Sequence, residues 1–288
     1  MARLTKAEAK KHAEAVALLD KDVLTDEDKE FFREHWQESA EHVNSAAGAF
    51  FTPWSQALDF ALEFAHNGPT RIIDLCAGIG NLAAAVWARS DYERRAGLAE
   101  VELVCVELNP AYVEIGKKLL PEARWLVWSI FDLPDDLGHF DVAISNPPFG
   151  NVNLGGGGGP RFTGSEFEYH VIDVAADLAE NGAFILPAMS APFRYSGAPF
   201  YEWRPQQKYE KFAKQTGIEL GPGIGVDTTC YADEWHGVKV PTEHCLADFA
   251  EWREGRKDVA KAVSVVEAPA VSSDPVKPDE WVDVFAAL

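Results

Sequence analysis

The chain has 288 residues, with 26 Lys and Arg against 46 Asp and Glu, and a formal charge of −20. Its 47% hydrophobic residues, nine Trp and 17 Phe exclude wholesale disorder and supply a sizeable core. The acidity excludes a general polyanion-coating role, since no global positive field would gather phosphate, but it leaves room for a local basic face.

Residues 1–47 read as a helical extension. Ala, Leu and Val recur at helical spacing from Ala7 to Leu19. Thr25, followed three residues later by Asp28, has the form of an N-cap ahead of an amphipathic run through Phe31, Phe32 and Trp36. A further helix is expected from about Ser55 to Ala65. From residue 70 short apolar runs alternate with helices. Strands are expected at Arg71–Leu75, Glu102–Glu107, Arg124–Trp128, Asp141–Ser145 and Ala183–Leu186, and helices at Leu82–Arg89, Ala111–Leu120 and Glu166–Ala179. Alternation of this kind describes an α/β chain whose parallel sheet is covered by helices on both faces. A helix near Gln206–Thr216 leads to Ile218–Val226 and Trp235–Leu246, an antiparallel pair expected at the sheet edge. Residues 258–288 are rich in Ala, Val, Pro, Ser and acids and read as a mobile acidic tail, with Trp281–Leu288 a candidate docking end.

No run of 18 apolar residues occurs, so no membrane-spanning helix is expected, and the first residues lack the apolar core of a signal peptide. Cys76, Cys105, Cys230 and Cys245 show no CxxC spacing. A reducing cytoplasm without a disulfide framework is the simplest setting. The irregular spacing of Cys230, His236, His244 and Cys245 predicts no metal site.

The first strand ends in Asp74-Leu75-Cys76-Ala77-Gly78-Ile79-Gly80-Asn81, where two glycines allow a tight strand-to-helix turn and close approach by a ligand. The second ends in Glu107-Leu108. A carboxylate there sits beside the Gly-rich turn and can accept hydrogen bonds from both hydroxyls of a ribose, at about 1.5–3 kcal/mol each for charge-assisted bonds. Turn and acid together point to a ribose-bearing cofactor. They leave two chemistries open: hydride transfer from NAD and methyl transfer from S-adenosylmethionine.

The fourth strand ends in Ser145-Asn146-Pro147-Pro148-Phe149-Gly150. With this turn in this position the chain resembles class I S-adenosylmethionine-dependent methyltransferases of the amino-methylating group. That group includes DNA adenine-N6 methyltransferases and relatives acting on RNA adenine or guanine, or on glutamine side chains. The chemistry accounts for the residue types. An exocyclic amino lone pair is delocalised and a poor nucleophile. The Asn146 side-chain oxygen and the Pro147 carbonyl would each accept one N–H and aim the lone pair, Pro147 and Pro148 would stiffen the turn, and Phe149 would stack on the target ring. No metal or covalent intermediate is needed.

The resemblance implies a Rossmann-like seven-stranded, mostly parallel sheet with an antiparallel edge strand over residues 48–250, behind the N-terminal helical extension. It also implies S-adenosylmethionine as cofactor. Phe50-Phe51-Thr52-Pro53 resembles an upstream Phe-x-Thr-Pro element, so Phe51, Thr52 and Pro53 would close over the methionine end. Asp74 would face the methionine amino group, and Cys76, Ala77, Gly78, Gly80 and Asn81 would form the surrounding turn. Glu107 and Leu108 would meet the ribose side. Ser129-Ile130-Phe131-Asp132 resembles the element in which an apolar residue, here Phe131, packs on the adenine ring and an acid, here Asp132, takes its amino group. Asn at 146 leans towards adenine N6 over cytosine N4, and the absence of a Pro-Cys dipeptide removes cytosine-C5 methylation by its usual covalent route.

Asn151–Gly164, with five successive glycines from Gly155 to Gly159, reads as a flexible loop that moves on substrate binding. Between Arg194 and Lys214 five basic residues face two acids, among Phe193, Tyr195, Phe200, Tyr201, Trp203 and Tyr209. Arg194, Tyr195, Arg204 and Lys208 are the candidate substrate contacts, suited to phosphate and base stacking. The expected substrate is DNA. RNA adenine and protein glutamine are alternatives, and a catalytically inactive binding module is a competing class. A nicotinamide oxidoreductase leaves the Asn-Pro-Pro-Phe turn unexplained. No large recognition domain is expected after the last strand, so sequence reading is expected from loops, the N-terminal helices or a separate specificity subunit, with a homodimer as an alternative and no membrane partner.

Overall fold

A computed structural model describes residues 4–37, 50–64, 71–97, 100–236 and 240–256. The tail expected at 258–288 lies outside the described residues, as do Gly48 and Ala49. Helix α1 (Lys6–Leu18) opens on a capping box in which Thr5 and Glu8 each accept the other's backbone N–H. Helix α2 (Asp26–His35) repeats the device with Thr25 and Asp28, as the sequence predicts. The chain continues through α3 (Trp54–Phe60), a 3-10 turn at Ala61–Phe64, β1 (Arg71–Leu75), α4 (Asn81–Arg89), α5 (Asp91–Arg95), β2 (Glu102–Glu107), α6 (Pro110–Leu119), β3 (Arg124–Val127) and β4 (Phe140–Ser145). Then follow α7 (Phe167–Leu178), β5 (Ala179–Pro187), β6 (Phe193–Arg194), β7 (Glu202–Trp203), α8 (Gln207–Thr216), β8 (Gly221–Pro222) and β9 (Thr242–Asp248).

Seven strands form one sheet in the order β3-β2-β1-β4-β5-β9-β8, while β6 and β7 pair separately. Strands β1 to β5 are mutually parallel, β9 runs antiparallel to β5, and the two-residue β8 runs antiparallel to β9. This is the expected Rossmann-like, mostly parallel sheet, with its reversed strand at the β5 side. Successive side chains leave opposite faces. Ile73, Leu75, Val104, Val106 and Ala143 enter one core with α7 and α8 residues such as Ile172 and Phe212. Ile72, Leu103, Cys105, Val142 and Ile144 enter another with Phe60 of α3 and Leu82 and Val86 of α4. Each fully buried Ile, Leu, Val or Phe contributes about 1.5–3 kcal/mol, which is why these uninterrupted apolar runs settle as central strands.

Two departures from the sequence expectation have physical causes. Strand β5 starts at Ala179, not Ala183, because Asn181-Gly182 pairs on both sides, with Val142 and Ala143 of β4 and with Asp248 and Ala247 of β9. A Cβ on Gly182 would lie 2.5 Å from the Phe184 ring and 2.6 Å from the Phe249 ring, so this glycine makes room for aromatic packing and marks no turn. The second half of the glycine run also packs closely. A Cβ at Gly157 would stand 2.5 Å from Phe131, one at Gly159 would stand 2.6 Å from Asp173, and Gly159 donates its N–H to His170 Nδ1 at 2.9 Å. Gly157 and Gly159 leave no room for a side chain, whereas a Cβ at Gly155 or Gly156 would meet nothing within 4 Å.

Candidate active site at the carboxyl ends of β1, β2 and β4

Strand order brings the ends of β1, β2 and β4 side by side, so the turns after Leu75, Glu107 and Ser145 share one edge of the sheet. The first is a tight loop with Cys76, Gly78 and Gly80 at φ of 62°, 58° and 86°. Its backbone is tied to β2 by Ala77 N–H to Val106 O at 2.9 Å. The space a Cβ would need at Gly78 is held by the Phe51 ring, 2.4 Å away, and at Gly80 by Trp125, 2.8 Å away. Both glycines are therefore fixed by positive φ and by ring packing at once. Cys76, half-buried, takes its left-handed conformation without that licence, and burial pushes its thiol up.

Asp74 is 2% exposed at the end of β1. Its Oδ2 accepts the Ala83 N–H at 3.3 Å, while Oδ1 has no partner. Burial holds this carboxyl well above the usual range, and the Glu107 charge adds to the shift. Glu107 accepts the Gly78 N–H at 2.9 Å through Oε2 and the Asn109 N–H at 2.8 Å through Oε1. Burial raises its pKa against those bonds. Each of its oxygens keeps a further lone pair. Leu108 beside it is an exposed apolar side chain.

The Asn-Pro-Pro-Phe turn continues β4. Asn146 Nδ2 donates to Phe50 O at 3.0 Å and to Thr52 Oγ1 at 2.9 Å. Phe50 O only accepts, so the amide orientation is fixed, and Oδ1 is left buried without a partner. Asn81, first residue of α4, donates Nδ2 to Thr52 O at 2.9 Å and likewise leaves Oδ1 unpaired. Thr52 thereby ties the Gly-rich turn to the Asn146 turn. Asp74, Asn81 and Asn146 each offer an unpaired buried oxygen that could accept from an ammonium, a hydroxyl or an amino group. An unsatisfied buried polar group costs about 1–3 kcal/mol, which binding would recover. Pro147 is buried, and Pro148 and Phe149 are half-buried.

The N-terminal helices brace this edge. Trp36 lies 5.3 Å from Phe51 and 6.1 Å from Tyr112, and Phe51 meets Tyr112 edge-on at 5.1 Å. Arg33 stacks over Trp54 at 4.2 Å, beside Pro53, and burial lowers its pKa to about 10. Phe131 stands in the turn after β3, edge-on to Phe167 at 5.7 Å, and Asp132 is exposed there.

The four candidate substrate contacts divide. Arg194 and Arg204 are exposed on the β6–β7 hairpin. Lys208 is engaged by Glu166 at 2.8 Å, and Tyr195 is half-buried with its N–H on Glu243 at 2.9 Å. Sequence reasoning did not find Glu168. This buried acid accepts Gly150 N–H at 2.8 Å and Ser190 Oγ–H at 2.7 Å, joining the Asn-Pro-Pro-Phe turn to the segment after β5. The available signal was an acid between Phe167 and Tyr169 in an otherwise apolar first turn. Among the described residues no group of three or more His, Cys, Asp and Glu is placed to hold a metal, and no helix is long and apolar enough to cross a membrane.

No family model matches the chain, and no curated protein matches it. Solved structures resemble it in fold. A type I restriction-modification methyltransferase subunit from Streptococcus thermophilus is 14% identical over 80% of this chain and 51% of that one, with TM-score 0.49. A candidate class I S-adenosylmethionine-dependent methyltransferase from Listeria monocytogenes is 15% identical over 85% of this chain and 81% of that one, with TM-score 0.48. A candidate RNA methyltransferase from Pyrococcus horikoshii is 14% identical over 81% and 94%, with TM-score 0.44.

Proposed function

We propose that this protein transfers a methyl group from S-adenosylmethionine to an exocyclic amino nitrogen, with adenine N6 of DNA as the favoured acceptor. The observation that carries the reading is Asn146: its Nδ2 is pinned by two acceptors and its Oδ1 is buried and unpaired. That oxygen is preorganised to accept an amino N–H.

The cofactor supplies an electrophilic methyl on a sulfonium. The residues would hold it through Asp74 Oδ1 to the ammonium, Glu107 to the ribose hydroxyls with Leu108 beside them, and Phe131 against the adenine, with Asp132 at its amino group. Phe51, Thr52 and Pro53 would close the methionine side, and the turn Cys76–Asn81 would form the floor. Asn146 Oδ1 and the Pro147 carbonyl would draw both amino protons towards acceptors and turn the nitrogen lone pair to the methyl. The rigid Pro147-Pro148 pair would keep those acceptors in place, and Phe149 would stack on the acceptor ring.

Incubation with labelled S-adenosylmethionine and duplex DNA, single-stranded DNA, RNA or protein, followed by nucleoside and amino-acid analysis, tests the reading. Label in N6-methyldeoxyadenosine is expected. Label confined to RNA or to glutamine would replace the acceptor, and no binding of S-adenosylmethionine would refute the reaction.

A further inference from the structure

The β6–β7 hairpin carries a cluster of exposed aromatic rings. Phe200 is 81% exposed and Trp203 53% exposed, with Tyr201 between them in sequence and also exposed. Two of the three are braced from below. Tyr201 stacks on the buried Phe193 at 5.6 Å and 30°, and Trp203 meets the buried Tyr209 edge-on at 6.2 Å. Each therefore has one side set by the core and another turned to water, at a cost in unburied apolar surface that a folded chain ordinarily avoids in a cluster. Two arginines lie beside the rings, while two acids hold the loop between the strands, Glu243 accepting the Tyr195 and Ser196 N–H groups and Asp227 the Gly197 N–H. Arg204 follows Trp203 and is exposed, with its backbone N–H on Pro192 O, and Arg194 donates to the Gly197 carbonyl at 3.1 Å. Register sets the hairpin's single acid, Glu202, opposite Arg194.

The segment carrying the hairpin is tethered to the candidate catalytic turn. Glu168 links Gly150 to Ser190, the Tyr169 hydroxyl donates to Ser190 O at 2.7 Å, and Lys208 at the start of α8 is held by Glu166.

We propose that this hairpin is a stacking surface for unpaired nucleic acid, and that it makes the protein select a single strand over a duplex. An unpaired strand exposes base faces to Phe200, Tyr201 and Trp203 and lets its phosphates meet Arg194 and Arg204. A duplex hides those faces from the rings, leaving only phosphate contacts to the two arginines. The proposal deepens the methyl-transfer reading by naming the form of the substrate, yet binding itself does not require transfer.

Fluorescence anisotropy of the full chain with a labelled oligodeoxynucleotide, its duplex and the RNA of the same sequence tests it. The single strands should bind at least 10-fold tighter than the duplex. Phe200→Ala and Trp203→Ala should each weaken single-strand binding by about 5- to 150-fold, the range for loss of one stacked base. Trp203→Phe should retain most of it, and Arg204→Ala should flatten the salt dependence. Unchanged affinity for S-adenosylmethionine in each variant verifies the fold. Equal or tighter duplex binding, indifference to Trp203→Ala, or a ring dependence seen only with a protein acceptor would overturn the proposal. Hairpin-dependent strand binding without methyl transfer to any acceptor would uphold it and sink the reaction instead.

Discussion

Thr52 and Asn146 are 94 positions apart, yet the Thr52 hydroxyl accepts an amide proton of Asn146 at 2.9 Å while the Thr52 carbonyl accepts one from Asn81. One residue thus sets the side chain at the end of β4 and the first residue of α4. Asn146→Ala is expected to lower turnover by on the order of 10²–10³-fold with little change in cofactor affinity, the size found when one preorganised polar contact is removed. Asn146→Asp keeps an acceptor but sets a carboxylate oxygen against Phe50 O, so it should be nearly as inactive. Thr52→Val should cost about 10-fold in kcat with a small change in KM, and Thr52→Ser should restore it. Full kcat in Thr52→Val would mean that the Phe50 carbonyl orients the amide alone.

The free Asp74 carboxyl is held protonated to higher pH by burial. A cation bound at Oδ1 favours the ionised form and lowers that value, so binding expels a proton wherever the pH lies between the two. Calorimetry with S-adenosylmethionine in buffers of different ionisation enthalpy should show this release above the ordinary carboxylate range. Glu107, also raised by burial, contributes in the same direction. Asp74→Asn separates the two, and should weaken binding by about 10-fold while removing most of the buffer dependence. Heats independent of buffer at every pH above the ordinary carboxylate range would contradict the assignment of Asp74 to the ammonium.

The sheet was legible because β1, β2 and β4 are short apolar runs ending in punctuated turns, and periodicity reads such runs well. Asn146, Glu107 and Asp74 were legible as candidates because they are polar residues placed where an apolar run stops. What pattern reading misses is long-range. Gly182 looks like a turn until the Phe184 and Phe249 rings are seen to need its missing Cβ, and Gly157 looks like a linker until Phe131 lies against it. Glu168 is an acid inside an apolar helix face, and its partners Gly150 and Ser190 lie 18 and 22 residues away. The two-residue strands β6 and β7 are too short for any period to register.

The N-terminal helices are expected to act on the cofactor edge through Trp36, which packs on Phe51 and Tyr112. Trp36→Ala should cost about 3 kcal/mol of stability, as for a large buried aromatic. It should also weaken S-adenosylmethionine binding, because Phe51 and Thr52 lose their backing, and Trp36→Phe should recover most of both. Thermal unfolding and calorimetry on the same samples check this. A destabilised but folded Trp36→Ala chain with full cofactor affinity would confine the extension to a scaffolding role.

His244, on β9, is buried beside Gln56 Nε2 at 3.4 Å and edge-on to Phe60 at 5.3 Å, and burial pulls its pKa from 6.5 down to about 4. Between those values the unfolded chain binds a proton that the folded chain refuses. The contribution is therefore intact above about pH 6.5 and is lost as pH falls towards 4, to a limit of roughly 3 kcal/mol. Glu63 opposes it. That carboxyl, 3.9 Å from His244 Nδ1, is raised by burial, so it holds a proton in the folded state over part of the same span and stabilises as pH falls. Asp59 acts on the same ring by favouring its charged form. Denaturant midpoints measured from neutral pH down to about 4.5 should fall in the parent chain and fall less in His244→Gln, while Glu63→Gln should steepen the loss. Parallel slopes for parent and His244→Gln would place the acid lability elsewhere.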